Sequence, residues 1–150
     1  MQKKLNNKGF TIVEVLIVLA IAGVILATIL LAVPALQRNS RNTQAKQAAT
    51  ALVAGAAESA AANSGKAPTA ISAAGAWTNT TTTTTTIAGG ITISTVTANP
   101  TTFAANNVYV WFSAVCSGNT ATSTGASASN IAVVYTVENG GTPTSGCLQG

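Results

Sequence analysis

Residues 10–33 read FTIVEVLIVLAIAGVILATILLAV, 24 positions with a single charged side chain, Glu14. As a helix this run is about 36 Å long, enough to cross the hydrocarbon core of a bilayer. It is longer than the apolar stretch of an ordinary secretory signal, and no small-residue cleavage site of that kind closes it. Any fold for this chain must therefore accommodate a membrane-spanning helix near its start. The acid is the anomaly. A carboxylate in a membrane helix costs about 2.5–3.5 kcal/mol on insertion scales. On the residues alone, Glu14 is either an acid that snorkels to the interface or one half of a buried pair.

Charge is scarce elsewhere too. Charged residues make up 7% of the 150 positions, against roughly 25% in typical soluble domains. There is no His and no Asp, and the acids are Glu14, Glu58 and Glu138. That inventory removes most enzyme mechanisms: no His–carboxylate pair can activate a nucleophile, and no His/Cys/Asp cluster can hold a metal. An oxygen-rich calcium site would need more carboxylates. The expectation is a non-enzyme with no catalytic residue, no cofactor and no metal site. The formal net charge of +4 is concentrated at the start, because Lys3, Lys4 and Lys8 precede the apolar run. After them four bases face three acids, which gives no electrostatic support for a specific nucleic-acid partner. Arg38, Arg41 and Lys46 follow the run closely, so the positive-inside count is nearly tied. They also read as a solvated face near lipid headgroups. The cysteines and the Thr-rich composition favour an exported C-terminal part.

Pro34 marks the passage from the apolar run to a polar helix, and a proline inside a helix usually bends it. Residues 35–63 are rich in helix formers. Ala45, Ala48, Ala49, Leu52 and Ala56 recur at three- and four-residue intervals, a narrow apolar stripe. Gly65 and Pro68 then end the helix. Beyond them, short β-prone segments alternate with turns. Residues 91–97 (ITISTVT) alternate in part; residues 108–116 (VYVWFSAVC) are the strongest strand, with Val108, Val110, Phe112 and Cys116 on one face; residues 131–137 (IAVVYTV) form a third, followed by the turn signal ENGG. The threonine run 80–86 reads either as an edge strand or as a loop. Asn79-Thr80-Thr81 fits a glycosylation sequon, for which a plain polar loop is the simpler reading. Trp77 and Trp111 are expected in the core rather than as adhesive surface groups. Gly23 and Ala27 form a small-xxx-small pair able to seat another helix. Two cysteines in the exported part, Cys116 and Cys147, read as one disulfide.

The segment KGFTIVEVLIVLAIAGVI, residues 8–25, resembles the class III signal of type IV pilins. Gly23 also falls where many such pilins carry a glycine, whereas Pro34 comes three residues later than the family's usual proline. The resemblance covers the N-terminal helix, and the layout of the remainder agrees with it. It implies that Gly9–Phe10 is the bond cut on the cytoplasmic side by a prepilin peptidase/methyltransferase, and that Phe10 carries the methylated amine. It further implies that Glu14 pairs with the Phe10 amine of a neighbouring subunit during assembly. Glu14 lies one turn from Phe10, so its own amine competes for it beforehand.

The resemblance thus implies an α+β fold, type IV pilin-like: a long N-terminal α-helix, membrane-spanning in its first half, packed on a small antiparallel β-sheet head. The expected organisation is a cleaved leader at 1–9, a transmembrane and assembly helix at 10–36, an amphipathic second half at 37–63, and the head at 64–150 with a disulfide-bounded C-terminal region. The implied partners are copies of the chain itself in a filament, the peptidase/methyltransferase, a pilus assembly platform with its ATPase, and membrane lipid before assembly. The protein would be a single-pass membrane protein first and part of an extracellular pilus afterwards. Alternatives are a minor pilin or a type II secretion-type pseudopilin, the latter disfavoured as a calcium-stabilised head by the lack of Asp. A monomeric membrane-anchored surface binding domain is the remaining class.

Overall fold

The computed structural model describes residues 9–72, 74–78, 83–84, 87 and 90–150. Residues 1–8, the Asn79 sequon, and most of the threonine run lie outside the described residues. Helix α1 covers Ile12–Ala62, 51 residues, and continues through Pro34. The chain divides into two compact units, Met1–Leu36 and Gln37–Gly150, and α1 contributes to both. In the first unit the large apolar side chains from Ile12 to Leu36 are exposed, and the span is long and apolar enough to cross a membrane.

The second unit is built on the remaining part of α1. Among the described residues nine strands follow: β1 Ala70–Ile71, β2 Ala76–Thr78, β3 Thr83–Thr84, β4 Thr92–Thr95, β5 Asn107–Phe112, β6 Val115–Ser117, β7 Thr120–Thr122, β8 Ile131–Val137 and β9 Thr144–Gln149. They form a three-stranded sheet β1-β2-β3, a four-stranded sheet β4-β5-β8-β9 and a two-stranded sheet β6-β7. Pairing is antiparallel except between β4 and β5, which run parallel. A connection of residues 96–106 separates those two strands, long enough to return the chain to the same end, which a hairpin turn cannot do. The second unit is α+β, with the part of α1 from Gln37 onward packed against small mixed sheets.

The alanine stripe does what its spacing predicts. Ala48, Ala49, Leu52 and Ala56 are buried in one cluster with Val108, Val110, Ile131 and Val133. Alternate residues of β5 and β8 point the other way: Tyr109, Ala132 and Val134 form a second cluster with Ala114 and Ala121. Both faces of the central strands are thus covered, so their sequences read as continuous apolar runs rather than clean alternation. Trp77 is fully buried in the first cluster, edge-on to Phe112 with ring centroids 6.3 Å apart. Trp111 packs half-buried against the second.

The strand expected over residues 108–116 is broken. Ser113 adopts a left-handed φ of 55°, and its N–H bonds the Asn130 carbonyl at 2.8 Å. This turn moves Cys116 off the face of Val108 and Val110 and into the second cluster. There Cys116, in β6, is joined to Cys147, in β9, by a disulfide. Gly146 faces Tyr135 across the β8–β9 ladder. A side-chain carbon on Gly146 would run into the Tyr135 ring carbon Cζ and its hydroxyl, so the glycine makes room for the aromatic ring.

Two polar devices fasten the helix. At its end Ser64 takes a left-handed φ of 57° and the Gly65 N–H reaches back to the Ala60 carbonyl at 2.8 Å, the long bond of a Schellman-type cap. Nearer its middle, Arg41 grips the Glu138 carboxylate with two donors at 2.8 and 2.7 Å. Asn42 gives its side-chain N–H to the Glu138 carbonyl and accepts the Glu138 N–H, both at 2.7 Å. Arg41, among the bases expected on a solvated face, is therefore committed to an intramolecular pair. The Arg41 bonds hold the Glu138 carboxyl below its ordinary pKa, against an opposing push from burial, with the Arg41 and Arg38 charges adding to the lowering.

Candidate functional site

The start of α1 gathers the residues that the sequence singles out. Gly9, Phe10 and Thr11 precede the helix and are exposed, Phe10 to 88%. The backbone on both sides of the Gly9–Phe10 bond is thus free of helical hydrogen bonding. Thr11 is the N-cap: its carbonyl accepts the Val15 N–H at 3.4 Å, the first bond of the helical ladder.

Glu14 occupies the third helical position, and its carboxylate turns back over the helix end. The Oε2 atom accepts the Thr11 N–H and the Thr11 hydroxyl, each at 2.9 Å. In return the Thr11 Oγ1 accepts the Glu14 N–H at 3.3 Å. This is a reciprocal capping box, in which two otherwise orphaned backbone donors are satisfied by the two side chains. The carboxylate also sits at the positive end of the helix dipole, which favours an anion there. The sequence signal was present, since Thr11-Ile12-Val13-Glu14 fits the S/T-x-x-E pattern. Thr11 is the residue that reading passed over.

The structure brings Gly9, Phe10 and Glu14 into one short segment, but the carboxylate engages Thr11. Glu14 therefore need not be an uncompensated charge in the apolar run. It also remains exposed, so the same oxygens are within reach of a further donor. Gly23 and Ala27 lie farther along the exposed helix, and an added side-chain carbon on Gly23 would meet nothing within 4 Å. Cys116 and Cys147 belong to the second unit and serve its fold.

An exposed apolar helix, a lone acid at its third position and an unstructured Gly-Phe bond just ahead define this terminus. Its sequence is similar to a prokaryotic N-terminal methylation motif. Residues 4–30 match the family model of that description, which supports a type IV pilin-like prepilin with a class III signal peptide. The family of this motif is structural rather than enzymatic, and the motif with its apolar helix fits a membrane-anchored protein processed by a prepilin peptidase. No curated protein and no solved structure matches the chain.

Proposed function

We propose that this prepilin matures into a structural subunit of a type IV pilus. The observation that carries the reading is the first part of α1, whose large apolar side chains are exposed on every side while Glu14 stands at its head. A helix apolar all round needs lipid or other helices around it. The chain is stored in the membrane by this helix, and the same surface then packs into the core of a filament outside the cell. Cleavage of Gly9–Phe10 removes residues 1–9 and creates an α-amine on Phe10, which is then methylated. The Glu14 carboxylate exchanges its Thr11 donors for the Phe10 amine of an adjacent copy, which neutralises both charges where water is excluded. Removing one partner of a buried pair typically costs about 3–5 kcal/mol. A membrane platform and its ATPase would supply the work of extraction.

Glu14→Ala tests the reading. The variant should accumulate in the membrane at wild-type levels and yield few or no filaments on shearing. Normal pili from it would remove Glu14 from assembly. Mass spectrometry of wild-type filaments should find a chain beginning at methylated Phe10, whereas an intact Met1 would indicate a plain membrane anchor. A handful of copies per filament would make the chain a minor subunit.

A further inference from the structure

Asn139-Gly140 is the one Asn-Gly step in the sequence, and it lies in the exposed turn between β8 and β9, directly after Glu138. Three features meet there. The Asn139 Oδ1 accepts the Gly141 N–H at 3.3 Å, which holds the side-chain amide against its own backbone. The Gly140 N–H has no hydrogen-bond partner among the described residues. The Arg38 guanidinium lies over Gly140: a side-chain carbon on that glycine would stand 3.6 Å from Arg38 Cζ and 3.7 Å from Nη1 and Nη2.

We propose that Asn139 is a site of spontaneous self-modification, in which the Gly140 backbone nitrogen displaces ammonia from the side-chain amide. The nitrogen loses its proton to solvent base and forms a bond to Asn139 Cγ. The Cγ–Nδ2 bond breaks, and Nδ2 takes up a proton and leaves as ammonia. The five-membered succinimide that results adds one solvent water at either carbonyl. It opens to aspartate, or to isoaspartate with the main chain rerouted through the β-carbon. The balance is one water consumed and one ammonia released, with no oxidant or metal involved.

Each feature lowers a particular cost. A glycine nitrogen carries no side chain to crowd the ring closure. Gly140 sits at a φ of 87°, a conformation that other residues rarely adopt. The Gly141 N–H stabilises negative charge as it develops on Oδ1, in the manner of an oxyanion hole. The Arg38 cation, as a positioning residue, favours the deprotonated Gly140 nitrogen. Among the described residues, the asparagines at 42, 99 and 130 lack this set. Asn42 is tied to Glu138 at both side-chain ends. Asn99 precedes Pro100, which has no N–H to ionise. Asn130 precedes Ile131, whose N–H is committed to the Gly150 carbonyl at 3.2 Å.

The product matters because of its neighbours. A new carboxylate appears beside Arg38 and one residue from Glu138, whose pair with Arg41 helps fasten this turn to α1. From residue 10 onward four bases face three acids, and the conversion makes the side-chain charge balance neutral. Subunits of different age would then differ in head charge and in how firmly the turn is held.

The experiment uses the full-length chain in detergent, aged in neutral and mildly alkaline buffer, then digested and read by mass spectrometry with fragmentation that separates aspartate from isoaspartate. Asn139 should convert about tenfold or more faster than Asn119 or Asn130, a barrier difference of about 1.4 kcal/mol or more. Its rate should rise with hydroxide. Arg38→Gln should slow conversion several-fold with an unchanged circular dichroism spectrum. Asn139→Gln should abolish it at this position without altering the other asparagines. An Asn139 that ages no faster than Asn119 overturns the proposal, and a rate untouched by Arg38→Gln removes Arg38 from it.

Discussion

Leu52 is the large side chain in an otherwise alanine-lined stripe of α1, and it is fully buried. It fills the space between the helix and the sheet side chains Val108, Val110, Ile131 and Val133. Leu52→Ala removes that volume where the buried helix residues of the same cluster, Ala48, Ala49 and Ala56, have no length with which to fill the gap. The cost for fully buried leucines of this kind is about 2.7–5 kcal/mol, and poor collapse places the site toward the upper half. The better helix propensity of alanine returns only about 0.2 kcal/mol. For a unit the size of residues 37–150, about 4 °C per kcal/mol applies, so the midpoint should fall by about 10–20 °C. Trp77 is buried in the same cluster, so tryptophan fluorescence of the full chain in detergent reports the transition. Leu52→Met, which conserves volume, should cost less than about 1.5 kcal/mol. A midpoint for Leu52→Ala within a few degrees of wild type would refute the placement of Leu52 as the filler of this interface.

Replacing both Cys116 and Cys147 by serine should destabilise the second unit by about 3.7 kcal/mol on the chain-entropy estimate for a separation of 31 residues. Thermal melts of the oxidised wild type and the double variant check this, and equal midpoints would contradict it. Acid sensitivity should trace to Glu138. Its folded pKa lies below the ordinary 4.5, so its contribution is complete above that value and is lost as pH falls through the folded pKa. With three acids in the chain, Glu138→Gln should flatten the acid limb of the stability profile, and an unchanged limb would assign it elsewhere. Thr11→Val keeps the side-chain shape but removes the capping hydroxyl. It should cost about 0.5–2 kcal/mol at the helix end, visible as faster amide exchange over residues 12–15 in micelles.

What the sequence determined by itself is the part in which local chemistry decides the outcome. An apolar run of this length can only be a helix in lipid or among other helices, because its backbone must bond internally. The alanine spacing announces which face of α1 is covered, and Thr11 with Glu14 writes a capping box into four consecutive letters. Gly65 and the residues around it end the helix for equally local reasons.

Tertiary structure decided the rest. Strands β5 and β8 are apolar on both faces, so periodicity could not say which side meets the helix. The parallel pairing of β4 with β5 depends on the path of residues 96–106, and the break at Ser113 on a bond to Asn130 far along the chain. Arg41 and Asn42 find Glu138 across 97 and 96 positions of sequence, and Arg38 comes to lie over Gly140 in the same way. A charged side chain in a sequence carries no mark of the partner it will meet. Only the folding of the β8–β9 turn onto α1 brings an anion, two cations and a reactive amide into one place.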